Sequence, residues 1–563
     1  MKVIIVGGVA GGATAAARIR RLDEHAEIIV FERSGYISYA NCGLPYYIGD
    51  VITDPEELTL QTPESFFKRF RINMKIHHEV ISIHTERKTV SVKNLENGEI
   101  FEENYDKLIL SPGAKPTQPR LPGVGMDKLF TLRTVEDTFR IKEYINKNHP
   151  KSAVLAGGGF IGLELAENLR ELGMDVTIVQ RPKQLMNPFD PDMASMIHNE
   201  MRKHGIKLVL GYTVEGFKEK DNGVEVLLKD NPSLQADMVV LAIGVTPDTA
   251  LAKEAGLELG IKGSIVVNDR METSVPDIYA AGDAVQVKHY VTGDDALISL
   301  AGPANKQGRI IADNICGGDS RYLGSQGSSV IKVFDMTAAT TGINETNAKK
   351  SGLDVDTVIL SPMSHAGYYP GGKVMTMKVV FEKETYRLLG AQIIGYEGVD
   401  KRIDVLATAI HAGLKATQLK DLDLAYAPPY SSAKDPVNMA GFMIDNIAKG
   451  TLKQWHLEDM DKISKDKSVV LLDVRTVGEF NRGHMDGFRN IPVDELRERI
   501  NEIEKGKPVY LICQSGLRSY IASRILEGNG YETYNFSGGF RFYDAVVNDR
   551  ALIERAYACG MDY

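Results

Sequence analysis

Twice in this chain a short apolar run leads into a cluster of glycines, then into a helix-forming stretch and a second apolar run. No other feature restricts the fold as much. Residues 3–6 read as a strand, 7–12 as a tight glycine turn, 13–22 as a helix and 27–31 as a second strand. The same order returns at 152–156, 157–162, 163–172 and 176–179, about 150 residues later. Each is a βαβ opening of the kind that binds a dinucleotide. Further apolar runs at 107–113, 238–244 and 278–283 end in glycine turns and read as buried parallel strands feeding ligand loops. Ser111, Gly113, Gly244, Gly282 and Asp283 fall in those loops. The expected fold class is therefore α/β, with two Rossmann-like dinucleotide-binding domains.

Past residue 324 the pattern changes to strands at 330–334, 373–381 and 389–394 with a helix at 403–412, as in a separate α+β domain. A polar stretch at 450–466 then joins a last α/β unit. With 563 residues, the chain has room for roughly three to five domains. The 66 Lys and Arg against 75 Asp and Glu leave a net charge of −9, which argues against nucleic acid or a membrane surface as partner. The first residues mimic a signal peptide, but glycines interrupt their apolar stretch, and no apolar run approaches the ~18 residues of a membrane span. A reducing cytoplasm is the expected setting. Four cysteines, Cys42, Cys316, Cys513 and Cys559, show neither CxxC pairs nor zinc-like Cys/His spacing, so neither a disulfide framework nor a metal is expected.

The second unit carries a complete G-x-G-x-x-G at Gly157, Gly159 and Gly162 between a strand and a helix, with Phe160 and Ile161 inside the turn. Glycine lets the backbone approach a pyrophosphate, whose charge the helix N-terminus stabilises. Where an acidic residue would hold the ribose of NAD, this chain has Gln180 followed by Arg181. A neutral residue beside an arginine tolerates the 2′-phosphate of NADPH; Arg181 as a solvated surface charge is the alternative. The first unit is degenerate, with Gly7, Gly8, Gly11 and Gly12 around Val9, but its second strand ends in Glu32 and Arg33. The later segment 273–283 (TSVPDIYAAGD) puts Asp283 where a carboxylate can accept a hydrogen bond from a ribitol hydroxyl. One FAD site and one NAD(P) site follow.

This order of motifs resembles the two-dinucleotide-binding-domain flavoprotein disulfide reductases over about residues 1–445. The resemblance implies an FAD domain at 1–117 and 245–323, an NAD(P) domain at 118–244 and a dimerisation domain at 324–449. It also implies hydride transfer to flavin and electron transfer to a nearby cysteine. Here that cysteine is Cys42, and no second thiol follows it at CxxxxC spacing. Its partner must be a substrate thiol or an oxygen held as sulfenic acid. The string from Ser38 to Tyr47 (SYANCGLPYY) is similar to the active-site segment of coenzyme A disulfide reductases. Related peroxidases and oxidases carry a histidine in the first glycine turn, where this chain has Val9 and Ala10. Two further strings, HAGYYP at 365–370 and AYAPPY at 425–430, match segments that supply two tyrosines in that family, here Tyr368 and Tyr426. The resemblance implies that they reach Cys42 of the other subunit of a homodimer, where a phenol can give its proton to a leaving thiolate. Coenzyme A is a polyanion and needs cations. By family position its contacts are Ala10, Thr14, Arg18, Arg21, Ser38, Asn41 and Lys434, to which Arg71 is added, one place past the family's basic position at Phe70.

The last unit, 455–563, resembles rhodanese domains in LDVR at 472–475, in GHMDGFRNIP at 483–492, and in Cys513 to Ser519 (CQSGLRS) after a strand and before a helix. Backbone N–H groups and a helix N-terminus there can hold a persulfide anion, which makes Cys513 the sulfur carrier and Arg518 its neighbour. The combined expectation is NAD(P)H-driven reduction of coenzyme A disulfide and coenzyme A persulfide or polysulfide. It runs through a Cys42–S–S–CoA mixed disulfide, releases hydrosulfide and passes sulfur through Cys513. An NADH oxidase or peroxidase, or a redox-sensing sulfur relay, are the alternatives.

Overall fold

The computed structural model describes residues 1–221 and 223–558, and the chain divides into two compact units, each treated by itself. The first holds Met1–Pro182 and Gly205–Gly327; the second holds Lys183–His204 and the chain from Ser328.

Two five-stranded parallel sheets form the first unit. In one, Lys2–Val6 lies between Glu27–Phe31 and Lys107–Leu110, with Ile278–Ala280 and Asn73–Lys75 outside them. In the other, Ser152–Ala156 lies between Asp175–Gln180 and Met238–Leu241, with Lys207–Leu210 and Leu129–Thr131 at the edges. Val3, Ile4, Ile5, Leu108 and Ile109 are fully buried, as strands covered on both faces require. Both glycine helices begin earlier than the sequence suggested, at Ala10–Leu22 and Phe160–Glu171 rather than 13 and 163. Packing is the cause. A Cβ at Gly12 would lie 1.9 Å from the Gly7 carbonyl oxygen, and one at Gly162 would lie 2.2 Å from that of Gly157. The last glycine of each motif therefore sits inside the first helical turn and presses it against its own strand.

The second unit contains an antiparallel five-stranded sheet in the order Ser329–Val333, Met336–Gly342, Leu388–Gly395, Met375–Glu382 and Val355–Leu360. Helices Val399–His411 and Pro436–Ala448 belong to this layer. The strands 336–342 and 355–360 were not expected from the sequence. Then follows a parallel sheet in which Val509–Ile512 lies between Thr533–Phe536 and Val470–Asp473. The helix Pro191–Lys203, between the strands Asp175–Gln180 and Lys207–Leu210, also belongs to this unit. Lys378, fully buried, meets Asp190, Asp192 and Glu345 at 3.1, 2.8 and 2.7 Å, and His198 Nδ1 meets Asp549 at 2.8 Å. A buried ammonium with three carboxylates around it holds the start of that helix to the antiparallel sheet. Cys559 lies outside the described residues.

Candidate active site

In the first glycine turn the Gly8 amide donates to Glu32 Oε2 at 2.9 Å, and the Ser34 amide donates to Glu32 Oε1 at 2.8 Å. Glu32 is buried at the carboxyl end of the parallel sheet, and each oxygen keeps a further lone pair for a ribose diol. In the second turn Gln180 Oε1 takes the corresponding bond from the Gly158 amide at 3.2 Å. A neutral oxygen thus fills the place of the carboxylate, and Arg181 beside it is exposed. Neither glycine helix has an acidic residue in its first turn, and a Cβ at Gly159 or Gly244 would meet nothing within 4 Å. Open space against bare helix-start amides suits a pyrophosphate. Asp283, in the turn Gly282–Ala284, pairs with Arg133 at 2.6 Å. Arg33 pairs with Asp248 at 2.8 Å. The residues present fit two dinucleotides, FAD at the first turn and NAD(P) at the second.

Cys42 lies exposed in the single turn Asn41–Gly43 that leads into the helix Leu44–Ile48, and is free. Its thiol pKa is pushed up, first by desolvation of the sulfur, then by the Glu164 carboxylate, with Arg133 opposing and Asp283 adding. Glu164, on the helix Phe160–Glu171, is itself raised to about 7 by burial and by Glu167. Burial, followed by the charges of Glu164 and Glu167, pushes the Tyr46 phenol up to about 12. Glu164 was not singled out in the sequence. Its only signal there is its place on the same helix as the glycine motif, which packs on the helix after Cys42 closely enough that a Cβ on Gly49 would lie 2.0 Å from Asn168 Oδ1.

Of the residues matched to coenzyme A, Thr14, Arg18 and Arg21 share the helix Ala10–Leu22. Thr14 Oγ1 bonds Asn305 at 2.6 Å, Arg18 pairs with Asp313 at 2.8 Å, and Arg21 is exposed. Ser38 has φ 47°, its amide bonded to the Gly8 carbonyl at 2.9 Å. Arg71 ends the helix Pro63–Phe70 and lies over the Phe67 ring at 5.2 Å. Lys434, Tyr368 and Tyr426 belong to the second unit. The two phenol oxygens are 2.6 Å apart, with Tyr368 75% and Tyr426 45% exposed, and the shared hydrogen bond raises the Tyr426 pKa.

Cys513 follows the strand Val509–Ile512 and is 1% exposed. Its Sγ accepts from the Gly516 amide at 3.1 Å and from Ser519 Oγ at 3.2 Å. Arg518 makes two 2.7 Å bonds to Glu479, whose carboxyl is held down to about 2 by that guanidinium. A cavity of about 340 Å³ beside the loop is lined by Arg475, Arg482, Gln514, Phe540 and Arg541. Ser519 was not chosen as a site residue from the sequence, although it stands one place after Arg518. Cys316 is half-buried at the end of the helix Ala301–Ile315, and burial raises its thiol pKa.

The chain is similar to known proteins along most of its length. Residues 1–308 match the family model described as pyridine nucleotide-disulphide oxidoreductase, 328–436 match its dimerisation domain, and 456–545 match the rhodanese-like domain. A coenzyme A disulfide reductase of Staphylococcus aureus is 40% identical over 443 residues, 78% of this chain and 99% of that one. The crystal structure of reduced Bacillus anthracis CoADR-RHD is 49% identical with a TM-score of 0.95, covering 98% of both chains. A NAD-dependent persulfide reductase from A. fulgidus is 39% identical with a TM-score of 0.90, covering 96% of this chain and all of that one.

Proposed function

Since the chain belongs to the pyridine nucleotide-disulphide oxidoreductase family, we propose that it reduces coenzyme A disulfide and coenzyme A persulfide or polysulfide with NAD(P)H, as a cytoplasmic homodimer. The observation that carries this reading is Cys42: a free, exposed thiol beside the glycine turns, with no CxxxxC partner.

Gly7, Gly8, Gly11, Gly12, Glu32, Arg33, Ser111, Gly113, Gly282 and Asp283 would hold FAD, which when bound takes hydride from NAD(P)H and supplies the two electrons that free Cys42 from its mixed disulfide. Gly157, Gly159, Phe160, Ile161, Gly162, Gln180 and Gly244 would hold the nicotinamide dinucleotide. The Cys42 thiolate attacks the inner sulfur of coenzyme A persulfide. The new Cys42–S–S–CoA bond forms as the sulfur–sulfur bond of the persulfide breaks, and hydrosulfide leaves. With the symmetric disulfide the leaving group is coenzyme A thiolate, to which Tyr368 or Tyr426 of the other subunit gives a proton. Arg18, Arg21, Arg71 and Lys434 would face the phosphates, with Ala10, Thr14, Ser38 and Asn41 along the arm. Upstream of that step, Cys513 takes the outer sulfur of a polysulfide, which leaves one sulfur shorter. The Cys513 persulfide hands that sulfur to coenzyme A thiolate and returns to the Cys513 thiolate. The Gly516 amide, the Ser519 hydroxyl and the charge of Arg518 meet the anion.

The test is Cys42→Ser in the flavin-loaded enzyme. NAD(P)H-dependent hydrosulfide release from coenzyme A persulfide should vanish, and its survival at the wild-type rate would overturn the reading.

A further inference from the structure

Two strongly exposed phenols in water do not hold a hydrogen bond to each other unaided, because each side chain loses rotamer freedom to make it. The 2.6 Å contact between Tyr368 and Tyr426 must therefore be set by the loops that carry them, which lie 58 residues apart. One buried cation joins those loops. Arg402, in the helix Val399–His411, is 1% exposed. Its Nη2 faces the Ser364 carbonyl at 2.9 Å, next to the first tyrosine string. The same nitrogen faces the Tyr430 carbonyl at 3.3 Å, Ser431 Oγ at 3.1 Å and Asp435 Oδ2 at 3.0 Å, at the end of the second string. Nε also donates to Asp435 Oδ2 at 3.2 Å, and Nη1 donates to the Gly398 carbonyl at 3.1 Å.

Asp435 extends the same knot. It accepts from Ser431 Oγ at 2.7 Å and, through Oδ1, caps the helix Pro436–Ala448 at the Val437 amide at 3.0 Å. The Ala366 amide donates to the Ser431 carbonyl at 3.0 Å, so the two loops are also stitched directly. The planar fork matters here: Nε and Nη2 both reach Asp435 Oδ2, Nη2 also faces the loop carbonyls and Nη1 meets the Gly398 carbonyl, whereas an ammonium keeps the charge but has a single nitrogen for all of these acceptors.

We propose that Arg402 is a positioning residue for the sulfur chemistry, a clamp that holds the two phenols in contact so that they act as one proton donor. The inference rests on the role given above to Tyr368 and Tyr426. The phenol that protonates the leaving thiolate becomes a phenolate, which the hydroxyl of the second phenol stabilises until solvent returns the proton. Separated phenols lose that second donor.

The experiment uses the flavin-loaded full chain and compares Arg402→Lys, Ser431→Ala, Tyr426→Phe, Tyr368→Phe and the double variant Arg402→Lys/Tyr426→Phe. Turnover with coenzyme A disulfide, bleaching of the flavin absorbance by NAD(P)H and the pH profile of kcat are measured for each. Arg402→Lys should lower kcat about tenfold, as expected for loosened acid catalysis, with the KM for nicotinamide and the bleaching rate unchanged. Ser431→Ala, a milder loosening of the same clamp, should lower it about threefold and keeps the test open if the lysine variant folds badly. In the double variant the arginine change should add little to the tyrosine change. The alkaline limb should move to higher pH in Arg402→Lys, because the second hydroxyl that stabilises the phenolate of the proton-giving phenol is gone. Wild-type turnover in both Arg402→Lys and Ser431→Ala beside a slow Tyr426→Phe overturns the clamp and leaves the tyrosine reading standing. Equal loss of bleaching and turnover, or full additivity in the double variant, overturns it too, since Arg402 would then be an ordinary structural residue. Wild-type turnover in both tyrosine variants removes the role of the phenols, and the clamp falls with it.

Discussion

The two reactive thiols of this chain are opposites. Cys42 is exposed on a one-turn helix, its sulfur made more basic by desolvation and by the Glu164 and Asp283 carboxylates. Cys513 is 1% exposed, yet its sulfur accepts two hydrogen bonds and lies at the N-terminus of the helix Leu517–Gly528 beside Arg518. The difference suits the load that the proposed function gives each sulfur. A thiol that attacks a large substrate and is then released by electrons must be reachable, and once ionised its intrinsic nucleophilicity rises with thiol pKa, at the expense of the fraction ionised. A thiol that stores a sulfur atom must instead hold an anion away from competing thiols, which takes donors and burial.

The sharpest way to break this comparison is to exchange the losses. Cys42→Ser should lower NAD(P)H consumption with coenzyme A disulfide by at least about a thousandfold while leaving sulfur transfer from thiosulfate to cyanide at its wild-type rate. Cys513→Ser should do the reverse. Measuring both activities on both variants decides the matter, and a division of labour is excluded if either substitution abolishes the two together.

A smaller effect separates the donors from the loop that carries them. Ser519→Ala removes the 3.2 Å bond to Cys513 Sγ and leaves the Gly516 amide in place. A hydrogen bond to a charged acceptor contributes about 1.5–3 kcal/mol, so the loop should hold a sulfur anion at Cys513 less well. Sulfur transfer at neutral pH should fall about tenfold or more. The thiosulfate-to-cyanide assay checks this, and an unchanged rate would mean that the backbone amides alone hold the anion.

How much of this was legible in the sequence depends on how local the chemistry is. Glycines 7 to 12 and 157 to 162 declare themselves because close approach of a helix to a strand admits no other residue, and Cys513 does so because its donors come from the next six residues. The start of each glycine helix was misplaced for the same reason that it works: Gly12 and Gly162 look like turn residues until the carbonyl 1.9 or 2.2 Å from their missing Cβ is seen. Glu164 and Arg402 were not legible. Glu164 acts on Cys42 only because the helix Phe160–Glu171 packs on Leu44–Ile48, and Arg402 finds its acceptors 28 to 38 residues away in both directions. Neither distance leaves a trace in spacing.

Glu164 gives the finest test of the comparison. With a pKa of about 7 its carboxyl changes charge across the working range, neutral below and anionic above. Its anion is among the causes that raise the Cys42 thiol, so the thiolate fraction climbs later with pH than desolvation alone would dictate. In Glu164→Gln that charge is gone at every pH. The sign follows: the Cys42 pKa falls, the acid limb of kcat/KM for coenzyme A disulfide moves to lower pH, and the rate near pH 7.5 rises about two- to threefold. Desolvation remains the larger cause, so the limb should stay above the ordinary thiol range. The activity of Cys513 should not respond. A limb that moves to higher pH would show that Glu164 serves Cys42 as a proton acceptor instead of as a repelling charge, and the contrast between an exposed, electron-rich thiol and a buried, donor-held one would then need a base on the first side as well.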